Sequence, residues 1–233
     1  MSPGPSVLGS PPDASLAGLP SQDRDAQFVV ALADAEVADG GPAVRCLDRP
    51  PRADEAPAER LLAPAGEGLW RRAPWPAADA LFELPPPPDS TVLLAGANAA
   101  LRAAVAERAL ARGVVLEQVE RLDADDLSRA AAVILADAPG GALPARAPAV
   151  LAAGRLLIVP RLRTAFGLQD GLDHLEFSDV DEAVTFAEAA RRTPATFSRV
   201  TLWGRVAARP WRASVAYGRL VSDLQLELAA GIR

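Results

Sequence analysis

Short apolar runs recur along the second half of the chain. Each closes on a small-residue turn and leads into a stretch with helical spacing. Thr91–Ala95 (TVLLA), Ala132–Ala136 (AVILA) and Leu156–Val159 (LLIV) are unbroken apolar runs, as central parallel strands require. Val114–Val119 and Leu175–Phe177 read as two further strands. Between them, Ala99–Arg112 reads as an Ala-rich helix stopped by Gly113, and Asp123 caps a short helix through Ala130. Pro148–Ala153 continues a helix starting near Pro144, and Asp179 caps a helix over Val180–Arg191. Pro194 opens another helix that runs to Ala208, where Pro210 breaks it. Trp211–Ala229 reads as a final amphipathic helix with Val215, Leu220, Leu224 and Leu228 on one side. This alternation predicts an α/β fold, a single Rossmann-like parallel sheet with helices on both faces, behind a small irregular N-terminal region.

Ahead of Ser90 the pattern is weaker. Residues 1–22 are rich in Pro, Gly and Ser and read as a disordered tail. Residues 23–89 form a small region and linker, with strands over Ala26–Ala33 and Ala43–Leu47 and a short helix at Glu55–Leu62. Pro74 and Pro76 exclude a helix around Trp70, Trp75 and Phe82, so these aromatics read as docking the linker onto the domain, with a short turn at Ala77–Phe82. Pro85–Pro88 is a polyproline segment that marks the boundary of a domain over residues 90–233.

Composition narrows the function. Half of the 233 residues are hydrophobic, enough for a sizeable core, and the net charge of −6 argues against nucleic acid as a partner. Every basic residue is Arg. Apolar runs fall well short of the ~20 residues a membrane span needs. No basic segment with an apolar stretch opens the chain, so it reads as cytoplasmic rather than secreted. The lone Cys46 excludes an internal disulfide, and no His/Cys/Asp/Glu group has metal-ligand spacing.

The exit of the fourth strand concentrates the candidate chemistry. Arg161 and Arg163 leave it on alternate positions, in a loop that runs through Gly167 to Gly171. They can clamp a diphosphate or merely solvate the loop. Gly96, Asn98 and Arg102 stand where a glycine turn opens a helix, either as a phosphate cradle or as the turn any parallel strand needs. His174, the only histidine, has no evident acid or nucleophile partner and reads as structural.

Several segments together resemble the C-terminal domain of GT-B glycosyltransferases of the group 1 type. They are VLLAGANAALR, RLDADDLSRAAAVILAD, AVLAAGRLLIV and FGLQDGLDHLEFSDVDEAV, with a closing Trp/Arg-bearing helix pair. WRRAPWPAADALFELP resembles the interdomain linker of such enzymes. The resemblance implies a nucleoside-diphosphate sugar as ligand and no resident cofactor, with Gly96, Asn98, Arg102, Arg161, Arg163 and Gly167 around it. It departs from the family in two places. Ala149 stands where an acidic residue grips the nucleotide ribose, and a methyl accepts no hydrogen bond. About 70 residues precede the linker, too few for a doubly wound acceptor domain.

The expectation is therefore a truncated nucleotide-sugar-binding or assembly subunit without its own catalytic residues. It would self-associate or meet a partner protein through the apolar side of Trp203–Leu228. The alternative is an active transferase completed by a partner chain or by oligomerisation. A receiver-like or flavodoxin-like signalling domain is a third reading. It needs acidic residues at the ends of the first and third strands plus a lysine, and of these only Asp137 is present.

Overall fold

The computed structural model describes residues 76–163, 165–216, 218, 219 and 222, preceded by the backbone of four short strands. These strands are β1 (Ser6–Leu8), β2 (Val29–Leu32), β3 (Ala43–Cys46) and β4 (Arg60–Leu62), paired in parallel in that order. β2 and β3 fall where the sequence places them. Arg60–Leu62, expected at the end of a helix, instead pairs with Val44–Cys46, since a short apolar run carries no period that separates helix from strand. β1 lies inside the stretch expected to be a disordered tail, where Val7 and Leu8 are an apolar step between prolines. The rest of that tail, Glu55–Glu59, Trp70 and Trp75 lie outside the described residues.

The main sheet holds β5 (Thr91–Ala95), β6 (Glu117–Gln118), β7 (Ala130–Leu135), β8 (Leu156–Pro160) and β9 (Leu175–Phe177), all parallel, in the order β6-β5-β7-β8-β9. Five helices accompany it: α1 (Ala99–Ala111), α2 (Ala124–Arg129), α3 (Ala147–Ala152), α4 (Val180–Arg192) and α5 (Ser198–Ala208). Strand alternation divides the core in two. Leu93, Val133, Leu135, Leu157 and Val159 pack with Leu127 of α2 and with α3. Val92, Leu94, Ile134, Leu156 and Ile158 pack with Val105 and Ala109 of α1 and with Ala183, Val184 and Ala187 of α4. The fold is thus the Rossmann-like α/β sandwich that the alternation predicts. Because α1 leaves β5 on one face and α3 follows β7 on the other, the carboxyl ends of β5 and β7 are the topological switch point of the sheet.

Three caps seat these helices. Asn98 accepts from the Leu101 amide at 3.1 Å, Asp179 from Glu182 at 2.9 Å, and Asp123 and Asp126 form a reciprocal capping box. Two elements differ from expectation. β6 is only two residues long, because Val114 folds back into the core with its amide on Ala109 O at 2.8 Å. Pro194–Phe197 is a 3₁₀ turn ahead of α5, and Arg209–Trp211 is another at the Pro210 break. Helical hydrogen bonding resumes at Val215 and Ala216, while Leu220, Leu224 and Leu228 lie outside the described residues. Among the described residues no helix is long and apolar enough to cross a membrane.

Residues 77–85 form a strap across the α2–α3 face. Its 3₁₀ turn, Asp79–Glu83, buries Leu81 and Phe82 in the same core as α3, so Phe82 docks as expected. Ala77 is bridged to the far end of the domain: its amide donates to Trp211 O and its carbonyl accepts from Ala213 N, both at 2.8 Å. Extended proline-rich backbone makes no internal hydrogen bonds, so its carbonyls must find partners. Arginines supply them. Arg205 donates to the carbonyls of Phe82 and Leu84, and Arg212 pairs with Glu83 at 2.9 Å beneath the Phe82 ring. Arg155, only 1% exposed, donates to Pro85 O at 2.9 Å and to Leu127 O and Ser128 O at 2.6 and 3.3 Å. The last two are carbonyls at the end of α2, where the helix dipole favours a cation. Burial, together with repulsion from Arg205, pushes the Arg155 guanidinium down to about 10, so it stays charged at neutral pH.

Arg155→Met removes the donor shared by the Leu127, Ser128 and Pro85 carbonyls and lowers stability by about 1–3 kcal/mol. The denaturant midpoint falls while the slope is unchanged. Arg155→Lys does not restore it, because a point charge cannot reach all three acceptors.

Candidate functional site

The crest of the sheet, where β5, β7 and β8 end, gathers most of the residues singled out in the sequence. Gly96 leaves β5 with φ +127°, and a Cβ there would sit 2.4–2.5 Å from the Ala136 backbone. Of the two readings of this glycine, the packing one has a direct cause: β5 and β7 approach too closely for any side chain. The turn's donors are also engaged by the protein itself. The Ala97 amide donates to Asp137 Oδ1 at 2.7 Å and the Asn98 amide to Ala136 O at 3.0 Å. Asn98 Oδ1, the other half of the expected cradle, caps α1. An acidic side chain therefore occupies the place where a phosphate would meet the helix N-terminus.

The basic residues lie to one side of that turn. Gly140 N donates to Arg161 O, and Arg163 N donates to Gly141 O, both at 2.8 Å. These bonds bind the exit loops of β7 and β8 into one ledge, with both arginine side chains exposed. Hydrogen bonds from the Ser178 amide and hydroxyl hold the Glu182 carboxyl below its usual range, and the Arg161 charge adds to this. Arg102 sits one turn ahead of buried Val105 on the sheet-facing side of α1. Its Nε is buried and has no hydrogen-bond partner. Gly167, at φ +88°, stands in open space beyond Phe166, itself left-handed at φ +52°. Phe166 packs onto the core, which offsets the strain of that backbone. The structure thus joins Gly96 and Asn98 to Ala136, and Arg161 and Arg163 to Gly140–Gly141.

Ala149 is not at the crest surface. It is 3% exposed in α3, whose six residues are all buried under the strap, α5 and the sheet. The departure at this position is therefore more than a lost carboxylate, since the side chain points into core.

His174 has partners that the sequence reading did not find. It is fully buried, with Nδ1 at 2.7 Å from Asp173 Oδ1 and Nε2 at 3.2 Å from Glu176 Oε1. The signal was local: an acid directly before the histidine, and another two residues on, on the same side of a strand. Asp173 also accepts from the Gln169 amide at 3.0 and 3.1 Å. Gly204 of α5 packs on this turn, where a Cβ would lie 2.6 Å from Asp173 O. Burial opposes the imidazolium, but hydrogen bonds and charge from Asp173 and Glu176 prevail and raise its pKa above 6.5. Among the described residues no group of His, Cys, Asp and Glu could hold a metal ion. Compared with models of known protein families and with curated proteins, the chain matches none.

Gly96→Ala combines a steric clash with a strained backbone and costs about 3 kcal/mol, whereas Gly167→Ala meets only backbone strain of about 1–2 kcal/mol. Thermal melts of the two variants check this order. Because the His174 pKa is raised on folding, its contribution to stability is complete below about pH 6.5 and is lost as pH rises through the folded value. Denaturant midpoints taken from about pH 6 to about pH 9 fall over that window. In His174→Gln this fall is absent.

Proposed function

We propose that the domain is a nucleotide-sugar-type binding lobe, acting as a non-catalytic or assembly subunit. The observation that carries this reading is the ledge at the β8 exit. Arg161 and Arg163 are presented there beside the β5/β7 switch point, the usual ligand position of an open parallel sheet. The buried, unpartnered Nε of Arg102 adds a donor that lacks an acceptor, which an anionic ligand would supply. The engaged turn at Gly96–Asn98 and the buried methyl of Ala149 remove two anchors of a donor nucleotide. They favour a binding role over independent transfer.

One observation favours the alternative, a transferase completed by a second chain. Leu202 and Trp203 on α5 are 62% and 45% exposed, as a surface awaiting a partner would be. The sheet order is also that of flavodoxin-like domains. A phosphoacceptor site, however, needs more than Asp137, whose carboxyl already holds the Ala97 amide.

Calorimetric titration with a panel of nucleoside-diphosphate sugars tests the proposal. Binding is expected to weaken with added salt and to drop about tenfold or more in the Arg161→Gln/Arg163→Gln double variant. Absence of heat with every donor would remove the reading.

A further inference from the structure

Among the described residues three charged or polar side chains are buried: Arg155, Asp173 and His174. Arg155 is committed to the strap. The other two sit in the crossover between β8 and β9, where no helix occurs among the described residues. We propose that His174 is a proton-operated pin: as the imidazolium it clasps Asp173 and Glu176 and seats β9, and on losing its proton it releases Glu176 and loosens the basic ledge.

The hydrogen-bond inventory of imidazole drives this. The imidazolium has two N–H donors, one for each carboxyl. The neutral ring keeps one. Asp173 is the more buried partner and also holds the Gln169 amide, so the remaining proton stays on Nδ1. Nε2 then becomes an acceptor facing the Glu176 carboxyl, and the clasp at 3.2 Å is lost. Glu176, with 17% of its side chain exposed, can turn to water.

Glu176 is the middle residue of β9. Its amide is held by Asp170 Oδ1 at 2.8 Å, and the turn is closed by Gly171 N on His174 O at 2.8 Å. The next residue, Phe177, accepts from the Arg161 amide at 3.1 Å, so the seating of β9 sets the position of the ledge directly. The charged groups of the turn are Asp170, Asp173 and Glu176. From α5, Gly204 meets the turn while Arg205 is drawn away to the Phe82 and Leu84 carbonyls. Leu151 of α3 meets the same Gly204, and β8 presents Ile158 opposite Leu175. Only Asp173 and Glu176 support the charge on His174, and both hold its pKa up against burial.

The role of the pin in regulation rests on the ligand reading of Arg161 and Arg163, but its test does not. His174 is the only histidine, so one imidazole NMR signal reports its titration in the full chain. Trypsin cleavage after Arg161 and Arg163, normalised to a free peptide at each pH, reports the order of the ledge. The expected result is a midpoint above 6.5, with cleavage rising about threefold or more over the same pH range. Glu176→Gln lowers the midpoint and flattens the cleavage rise, because an amide can accept from the imidazolium and donate to the neutral ring, and His174→Gln abolishes the pH dependence. A cleavage rate that is flat through the His174 titration overturns the proposal. So does a midpoint at or below 6.5, or a Glu176→Gln shift in midpoint that leaves the cleavage rise in place. Titration of nucleoside-diphosphate sugars on both sides of the midpoint separates the two ideas. If no donor binds at either pH, the ligand reading fails and the pin stands on cleavage. Equal binding at both overturns its regulatory role.

Discussion

The buried guanidinium of Arg155 is the interaction on which the rest of the domain depends. A charge nine-tenths or more out of water, with no carboxylate beside it, survives only if fixed dipoles replace its hydration. Three carbonyls do so here: two close the end of α2 and one belongs to the strap at Pro85. The need is mutual. Beyond its 3₁₀ turn the strap is extended and its carbonyls need outside donors, and the end of α2 has carbonyls without helical partners. One side chain therefore ties residues about 70 positions apart in sequence, and Arg205 repeats the arrangement a few residues upstream. With the strap fixed, α3 is covered on every side and Ala149 is closed to any ligand.

Much of this fold is legible in the sequence because parallel strands buried on both faces leave unbroken apolar runs. β5 and β8 fall where those runs predict, and Asp123 and Asp179 cap the helices they precede. What is not legible depends on contacts distant in sequence. Val114 and Val115 extend an apparent strand, yet Val114 is taken up by the core and β6 shrinks to two residues. The role of Arg155 depends on Pro85, 70 positions away, being placed within its reach. At the site, Gly96 carries the same letters whether it cradles a phosphate or packs against Ala136, and only the 2.4 Å approach separates the two. Asp137 engages an amide 40 positions away, which no local pattern reveals. The partners of His174 are the opposite case: both stand within two residues of it, and the burial that couples them comes from α5 and the turn.

These contacts also constrain what the crest can hold. The helix N-terminus at α1 is an attractive place for an anion in isolation. Here the Ala97 amide of the turn belongs to Asp137, so an anion placed over β5 would face an acid rather than a free donor. The positive groups lie instead toward β8, on a ledge held by main-chain hydrogen bonds at Gly140, Gly141 and Phe177. Arg102, in the first turn of α1, has a donor buried and unmet, a situation that costs about 1–3 kcal/mol until an acceptor arrives. A ligand that satisfies all three features would place its less charged end over Gly96 and Ala97 and its anionic end over Arg161 and Arg163. It would then lean away from the usual phosphate position, and the ledge, rather than the glycine turn, would set its affinity.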